Sequence, residues 1–298
     1  MSGGVGRTPA IGLVLVGLAC QEVGASIAVL LFPQAGPLGM VMMRLFFAAV
    51  VLLLIARPSL RARSVRAWRS VVWFGVVLAV MNGLFYLALE RLPLGVTVTI
   101  EVLGPLVLSI VAARRAAAWL WALLAFAGVV ALGGGGWDRL DFWGVLFALG
   151  AAASWALYIL ASAETGRQTR GLDGLALAMS VGALLSLPFG WVDAGTALLR
   201  PDILALGFAV AMLSSMVPYA LELIALRRVT ASVFGILMTL GPATASLAGF
   251  LLLGQDLNVL EIFGIVLVIA ASMGAVLTAP KQVSTTGAPD DPFGEPVA

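Results

Sequence analysis

Glu22, Arg44 and Glu101 are single charges inside stretches that are otherwise apolar, and Glu222 is a fourth near the end of another. Holding a charge in hydrocarbon costs at least ~2.5–3.5 kcal/mol on insertion scales, so such residues bind ions or cargo, relay protons, gate, or pair helices. Carboxylates in apolar surroundings can hold a proton or an amine. A guanidinium can hold a carboxylate in two parallel hydrogen bonds. With no histidine in the chain, proton chemistry falls to the carboxylates.

Glu101 lies seven residues past Leu94, roughly 10 Å along a helix at ~1.5 Å per residue. Pro105, four residues on, lacks the N–H that would bond the carbonyl of Glu101. Carboxylate and freed carbonyl thus fall together, with Thr97 on the same face. Glu101 reads as a proton or amine site, or as the partner of Arg44 in a structural ion pair. Arg44 is either that fixed partner, for Glu101 or Glu22, or a receptor for a cargo carboxylate. Glu22, with Gln21 beside it and Ser26 one turn on, is a second proton or amine site or a helix-pairing group.

Ser215, Pro218, Tyr219 and Glu222 share a helical face, and Pro218 frees the carbonyl of Ser214. That permits a broken-helix site, although Glu222 is close enough to Arg227 to reach the membrane surface. Asn82 and Tyr86 are one turn apart, and Trp155 and Tyr158 are neighbours on another segment. Aromatic faces with a few polar tips suit ammonium ligands, and they also serve plain packing. Pro242 mirrors Pro105 but has Met238 where Glu101 would be.

These groups need elements that sit in lipid. Hydrophobic residues make up 61% of the 298 and charged residues 11%, with a mean hydropathy of +1.09. A water-soluble domain could not bury that much apolar surface. A span needs about 20 apolar helical residues. Ten segments qualify: 9–32, 37–56, 70–90, 94–113, 119–134, 141–162, 172–191, 202–226, 230–253 and 258–279. The first is read as a retained span because further apolar segments follow it at once. Cys20 alone excludes an internal disulfide and a cysteine metal site. Gly133–Gly136 lacks the Lys-Ser/Thr of a phosphate cradle.

Basic residues set the orientation. With the N-terminus inside, inner segments carry thirteen of the 17, from Arg7 to Lys281. Outer loops carry Arg91, Arg139 and Arg200, and Arg44 lies in the membrane. The Arg-rich run at 57–70 reads as an inner loop with Trp68 as an interfacial anchor. Both termini are expected in the cytoplasm.

ALERLPLGVTVTIEVLGP at 88–105 aligns without gaps on ALRRVTASVFGILMTLGP at 225–242, and a Gly pattern relates Gly128 to Gly264. The offset makes the unit five helices, so the second copy is inverted. Inverted repeats build transporters with a site between the copies. The expected organisation is an all-α membrane protein. It has a cytoplasmic tail at 1–8, a first five-helix repeat at 9–134, a second at 141–279, and a disordered cytoplasmic tail at 280–298.

Several stretches carry a resemblance: GASIAVLLFPQAGPLG (24–39), MNGLFYLALERLPLGVTVTIEVLGPL (81–106), WALYILA (155–161), VPYALELIALRRV (217–229), FGILMTLGPA (234–243) and AASMGAVLT (270–278). The chain resembles the drug/metabolite transporter superfamily, in particular ten-helix proteins with two EamA-type repeats, and within them bacterial threonine/homoserine exporters. It departs from that pattern at Gly241, where members often carry Glu, at Gln255, where "LGE" is common, and at Glu22, where exporters of this type tend to have a small residue.

The resemblance implies a secondary active transporter that exports small neutral amino acids by proton antiport with alternating access. Glu101, Arg44, Glu22, Asn82, Tyr86, Trp155, Tyr158, Tyr219 and Glu222 would hold substrate and protons, and Pro105, Pro218 and Pro242 would break helices. A carrier for other metabolites or drugs is the alternative; a channel or lipid-handling protein is a reading of another class. The expected location is a bacterial cytoplasmic (inner) membrane, multi-pass. The expected partners are an amino-acid-like substrate, protons and lipids, with no nucleic acid, metal, cofactor or enzyme activity, and with homodimerisation left open.

Overall fold

The computed structural model describes residues 8–59, 64–113, 116–133, 141–169, 171–226 and 231–278. Among them every regular element is helical. In chain order these are α1 (Thr8–Ala35), α2 (Pro37–Ala56), α3 (Val65–Leu89), α4 (Leu94–Glu101), α5 (Leu103–Ala113), α6 (Ala116–Gly133) and α7 (Phe142–Gln168). Then follow α8 (Asp173–Ala194), a 3₁₀ turn (Gly195–Leu199), α9 (Pro201–Ala211), a π-helical stretch (Met212–Met216), α10 (Val217–Leu226), α11 (Ala231–Met238), α12 (Gly241–Leu253) and α13 (Val259–Thr278).

Eight helical stretches are long and apolar enough to cross a membrane. Two shorter apolar ones are Trp119–Leu132 and Pro201–Met216. The surface is inside out relative to a water-soluble protein. Val192, Leu54 and Phe126 are exposed, whereas Glu22 is 2% exposed and Asn82 6%. With lipid as solvent, polar groups gather where helices face each other.

Two features differ from the expected loop and span limits. The run at 57–70 is helical from Val65, because the Ser64 hydroxyl accepts from the Ala67 N–H at 3.1 Å and caps α3. The sixth segment runs on to Gln168, where Arg167 and Arg66 meet Glu164. The loop at 134–140 and the tails at 1–7 and 279–298 lie outside the described residues.

The packing interleaves the two halves. α3 runs along α7, α2 along α8, α6 along α13, and α4 along α12, while α1 lies against α9, the π stretch and α10. Small residues let the backbones approach. A Cβ built at Gly128 would lie 2.8 Å from the carbonyl oxygen of Gly264, and one at Gly264 would lie 2.6 Å from that of Gly128. No side chain fits at that crossing.

Helix N-termini in this setting need partners for their free N–H groups. Gly36 and Pro93, which precede α2 and α4, offer no side-chain cap. Residues remote in sequence supply one. Asp193 Oδ2 accepts from Leu38 N–H at 2.8 Å and Gly39 N–H at 3.2 Å. Gln255 Oε1 accepts from Leu94 N–H at 2.9 Å. Each cap ties one half of the chain to the other and fixes a helix that carries a site residue, Arg44 on α2 or Glu101 on α4.

Candidate functional site

Two helices are interrupted at corresponding points of the two aligned stretches. α4 ends at Glu101, and Val102 turns before α5 begins at Leu103. α11 ends at Met238, and Thr239 and Leu240 turn before α12. Each turn is followed within a few residues by a proline, Pro105 or Pro242, which cannot donate to the preceding turn. Gly104, before Pro105, lets the broken helix lie against α7: a Cβ there would overlap the carbonyl oxygen of Ala152.

A third irregularity completes the frame. At Met212–Met216 the backbone widens to π-helical bonding, with Val217 N–H reaching Met212 O. Pro218 follows and has no N–H for the Ser214 carbonyl. Arg44 fills that need from α2: its Nη2 donates to Ser214 O at 3.0 Å and its Nε to Ser215 Oγ at 3.2 Å. The Tyr86 ring packs on the guanidinium, its centroid 5.8 Å away. Arg44 is therefore positioned by the π stretch on one side and an aromatic ring on another.

These elements enclose a cavity of about 240 Å³. Its walls include Glu22 and Gln21 from α1, Arg44 from α2, Asn82 and Phe85 from α3, Glu101 from α4, Trp155 and Tyr158 from α7, Ser214, and Met238. Glu22, Glu101 and Arg44 lie within electrostatic reach of one another. No hydrogen bond or ion pair joins either carboxylate to another described residue. The alternative of a direct Glu101–Arg44 or Glu22–Arg44 salt bridge is thus not what this geometry holds. The Asn82 Nδ2 donates to Leu78 O at 2.8 Å, which leaves its Oδ1 as an acceptor. Buried hydroxyls at Ser214 and Tyr86 have no hydrogen-bond partner among the described residues. Such groups are costly unless something else completes them.

The structure brings Glu22, Arg44, Asn82, Glu101, Trp155 and Tyr158 to one cavity. Tyr86 is not on its wall; fully buried, it stands behind Arg44 and against Phe32. The side chains of Tyr219 and Glu222 lie outside the described residues. Phe85, Ser214 and Met238 line the cavity without having been singled out from sequence as binding groups. For Ser214 the signal was available in Pro218, four residues on. A second cavity of about 190 Å³ adjoins the first, lined by Pro105, Ser109, Thr239 and Ser272 among others, and shares Val102, Trp155 and Met238 with it. A larger cleft of about 440 Å³, between Leu38, Val80, Gly83 and Phe189, is almost wholly apolar and carries no charge.

The chain is similar to known proteins. The sequence pattern of the EamA-like transporter family matches residues 142–277. The threonine/homoserine exporter RhtA of Escherichia coli is 38% identical over 273 residues, which span 91% of this chain and 92% of that one. The chain belongs to the EamA-like transporter family. It is a multi-pass membrane transporter and not an enzyme. The RhtA of Salmonella typhimurium is 37% identical over the same shares of the two chains. An uncharacterized transporter of Bacillus subtilis, YwfM, is 28% identical over 230 residues, 74% of this chain and 77% of its own. A solved crystal structure with 18% identity superposes at a TM-score of 0.56, covering 92% of this chain and 99% of its own. That likeness speaks to the fold.

Proposed function

We propose that this transporter exports small neutral amino acids of the threonine or homoserine type from a bacterial cytoplasm, in exchange for protons. The single observation that carries the mechanism is Glu101. It lines a cavity beside Arg44 and Glu22 without an ion-pair partner among the described residues. The cargo follows from the identity to RhtA over nearly the whole chain.

Counting the two shorter apolar helices with the eight long ones gives ten spans, with both termini cytoplasmic on the arginine distribution. The division into repeats at 9–134 and 141–279 is supported by the packing. Exchanging the halves converts the α7–α3 contact into the contact of α1 with α9 and α10, and maps the pairs α2–α8 and α6–α13 onto themselves. The breaks at Val102 and Thr239 are equivalent under the same exchange.

In this account the α-amine of the cargo sits on Glu101 and its carboxylate faces the Arg44 guanidinium. Asn82 Oδ1 accepts from the amine or a side-chain hydroxyl. The smaller cavity, between Ser109 and Ser272 toward the cytoplasmic ends of α5 and α13, is the entrance from inside, with Trp155 and Met238 at the constriction. Rocking of the repeats exposes Glu101 to each side in turn, and a proton replaces the amine on the return.

The test is efflux of labelled threonine and homoserine from proteoliposomes with an external acid pulse. The pulse should accelerate efflux through the wild type and not through Glu101→Gln. Full acceleration in Glu101→Gln would remove this residue from coupling. No flux of either amino acid through the wild type would refute the cargo.

A further inference from the structure

The described lining of the cavity holds one more acid than a neutral amino acid needs. Among its described lining residues are two carboxylates, Glu22 and Glu101, and one guanidinium, Arg44; Gln21 and Asn82 are neutral. Glu22 is 2% exposed. Its backbone carbonyl accepts from Ser26 Oγ at 2.8 Å, but its carboxylate has no hydrogen bond from a described residue. Burying an uncompensated carboxylate is costly, and the bonds of Arg44 to Ser214 and Ser215 hold the cation at the π stretch.

A zwitterion adds equal positive and negative charge and leaves the excess as it was. Glu22 meets that excess with a proton when the cargo is neutral, and a cargo with a second ammonium can take the proton's place. A diamine without a carboxylate would leave Arg44 without a cargo partner. The volume suffices: 240 Å³ equals about eight water volumes of ~30 Å³ each, close to the roughly nine heavy atoms of ornithine. Gln21 and Asn82 offer neutral acceptors beside the acids.

We propose that the cavity also accepts amino acids bearing a side-chain amine, with Glu22 receiving the second ammonium while Glu101 and Arg44 hold the α-groups. This rests on the reading of the cavity as an amino-acid site and extends its substrate class to diamino acids. Norvaline and ornithine differ by the terminal amine, so comparing them isolates the interaction with Glu22.

The experiment is inhibition of labelled threonine exchange in proteoliposomes by each compound, in the wild type, Glu22→Gln and Glu22→Asp. Each variant is first checked for a monodisperse elution profile and an unchanged thermal midpoint. Ornithine should inhibit the wild type at a concentration at least tenfold below that of norvaline. That ratio should fall toward one in Glu22→Gln and be largely kept in Glu22→Asp. Equal inhibition by the two in the wild type, with threonine exchange intact, overturns this inference and leaves the export reading standing. So does a ratio unchanged by Glu22→Gln. If Glu22→Gln does not fold, the wild-type ratio and Glu22→Asp still decide. Absence of threonine exchange in the wild type overturns both readings.

Discussion

Gly104 precedes Pro105 where α4 gives way to α5, and its missing side chain lets that turn rest on the α7 backbone. In Gly104→Ala, a Cβ would overlap the Ala152 carbonyl oxygen and lie 2.7 Å from its carbon and 3.2 Å from its Cα. Ordinary contact begins at 3.4 Å, so α5 and α7 must separate by at least about 0.7 Å at the carbon. The obstacle is backbone, which no rotamer change can clear. Overpacking of this kind costs about 1–3 kcal/mol, which lowers a thermal midpoint by roughly 2–5 °C in a chain of this size. Because the same turn carries Glu101 and the same stretch of α7 carries Trp155, the cavity should widen and threonine exchange should slow. The assay is a thermal unfolding curve in detergent beside exchange rates in proteoliposomes. Gly12→Ala is the control, since nothing lies within 4 Å of a Cβ there. A Gly104→Ala protein with the midpoint of Gly12→Ala and wild-type exchange would refute the close approach and its role in setting the cavity.

Arg44→Lys keeps the charge but cannot reproduce the two-point hold on Ser214 O and Ser215 Oγ. Threonine exchange should fall more than tenfold while the pH dependence of the residual flux is unchanged; near-wild-type exchange would show that charge alone suffices. Gln255→Ala removes the cap on Leu94 N–H, with an expected cost of about 1 kcal/mol. Gln255→Glu should be at least as stable as the wild type, since a carboxylate at a helix N-terminus is favoured; paired thermal midpoints check both.

Much of the site was legible because a charge in an apolar helix is conspicuous. Glu22, Arg44 and Glu101 stood out on that ground, and the structure sets all three on one cavity. Asn82, Trp155 and Tyr158 join them from two further helices. Tyr86 shows the limit of local spacing: one turn from Asn82, it nonetheless points behind Arg44, where its ring packs on the guanidinium and on Phe32. Pro218 marked the Ser214 carbonyl as unanswered, yet the answer came from α2, 170 residues earlier in sequence. The caps from Asp193 and Gln255 likewise act across more than 150 residues. Such contacts leave no periodicity for a single sequence to display. The start of α3 was legible in Ser64 but was hidden by the arginines around it, which read as a loop.

The central claim is that cargo passes through the cavity shared by Glu22, Arg44 and Glu101. Met238 stands on its wall and on that of the adjoining cavity. The direct measurement is labelling of Met238→Cys, in a Cys20→Ser background, by a membrane-impermeant maleimide added to either side of sealed vesicles. The account predicts labelling from both sides, slowed at least severalfold by threonine and not by an equal concentration of glucose. Labelling by lipid-soluble reagents alone, or labelling that threonine leaves untouched, would contradict it.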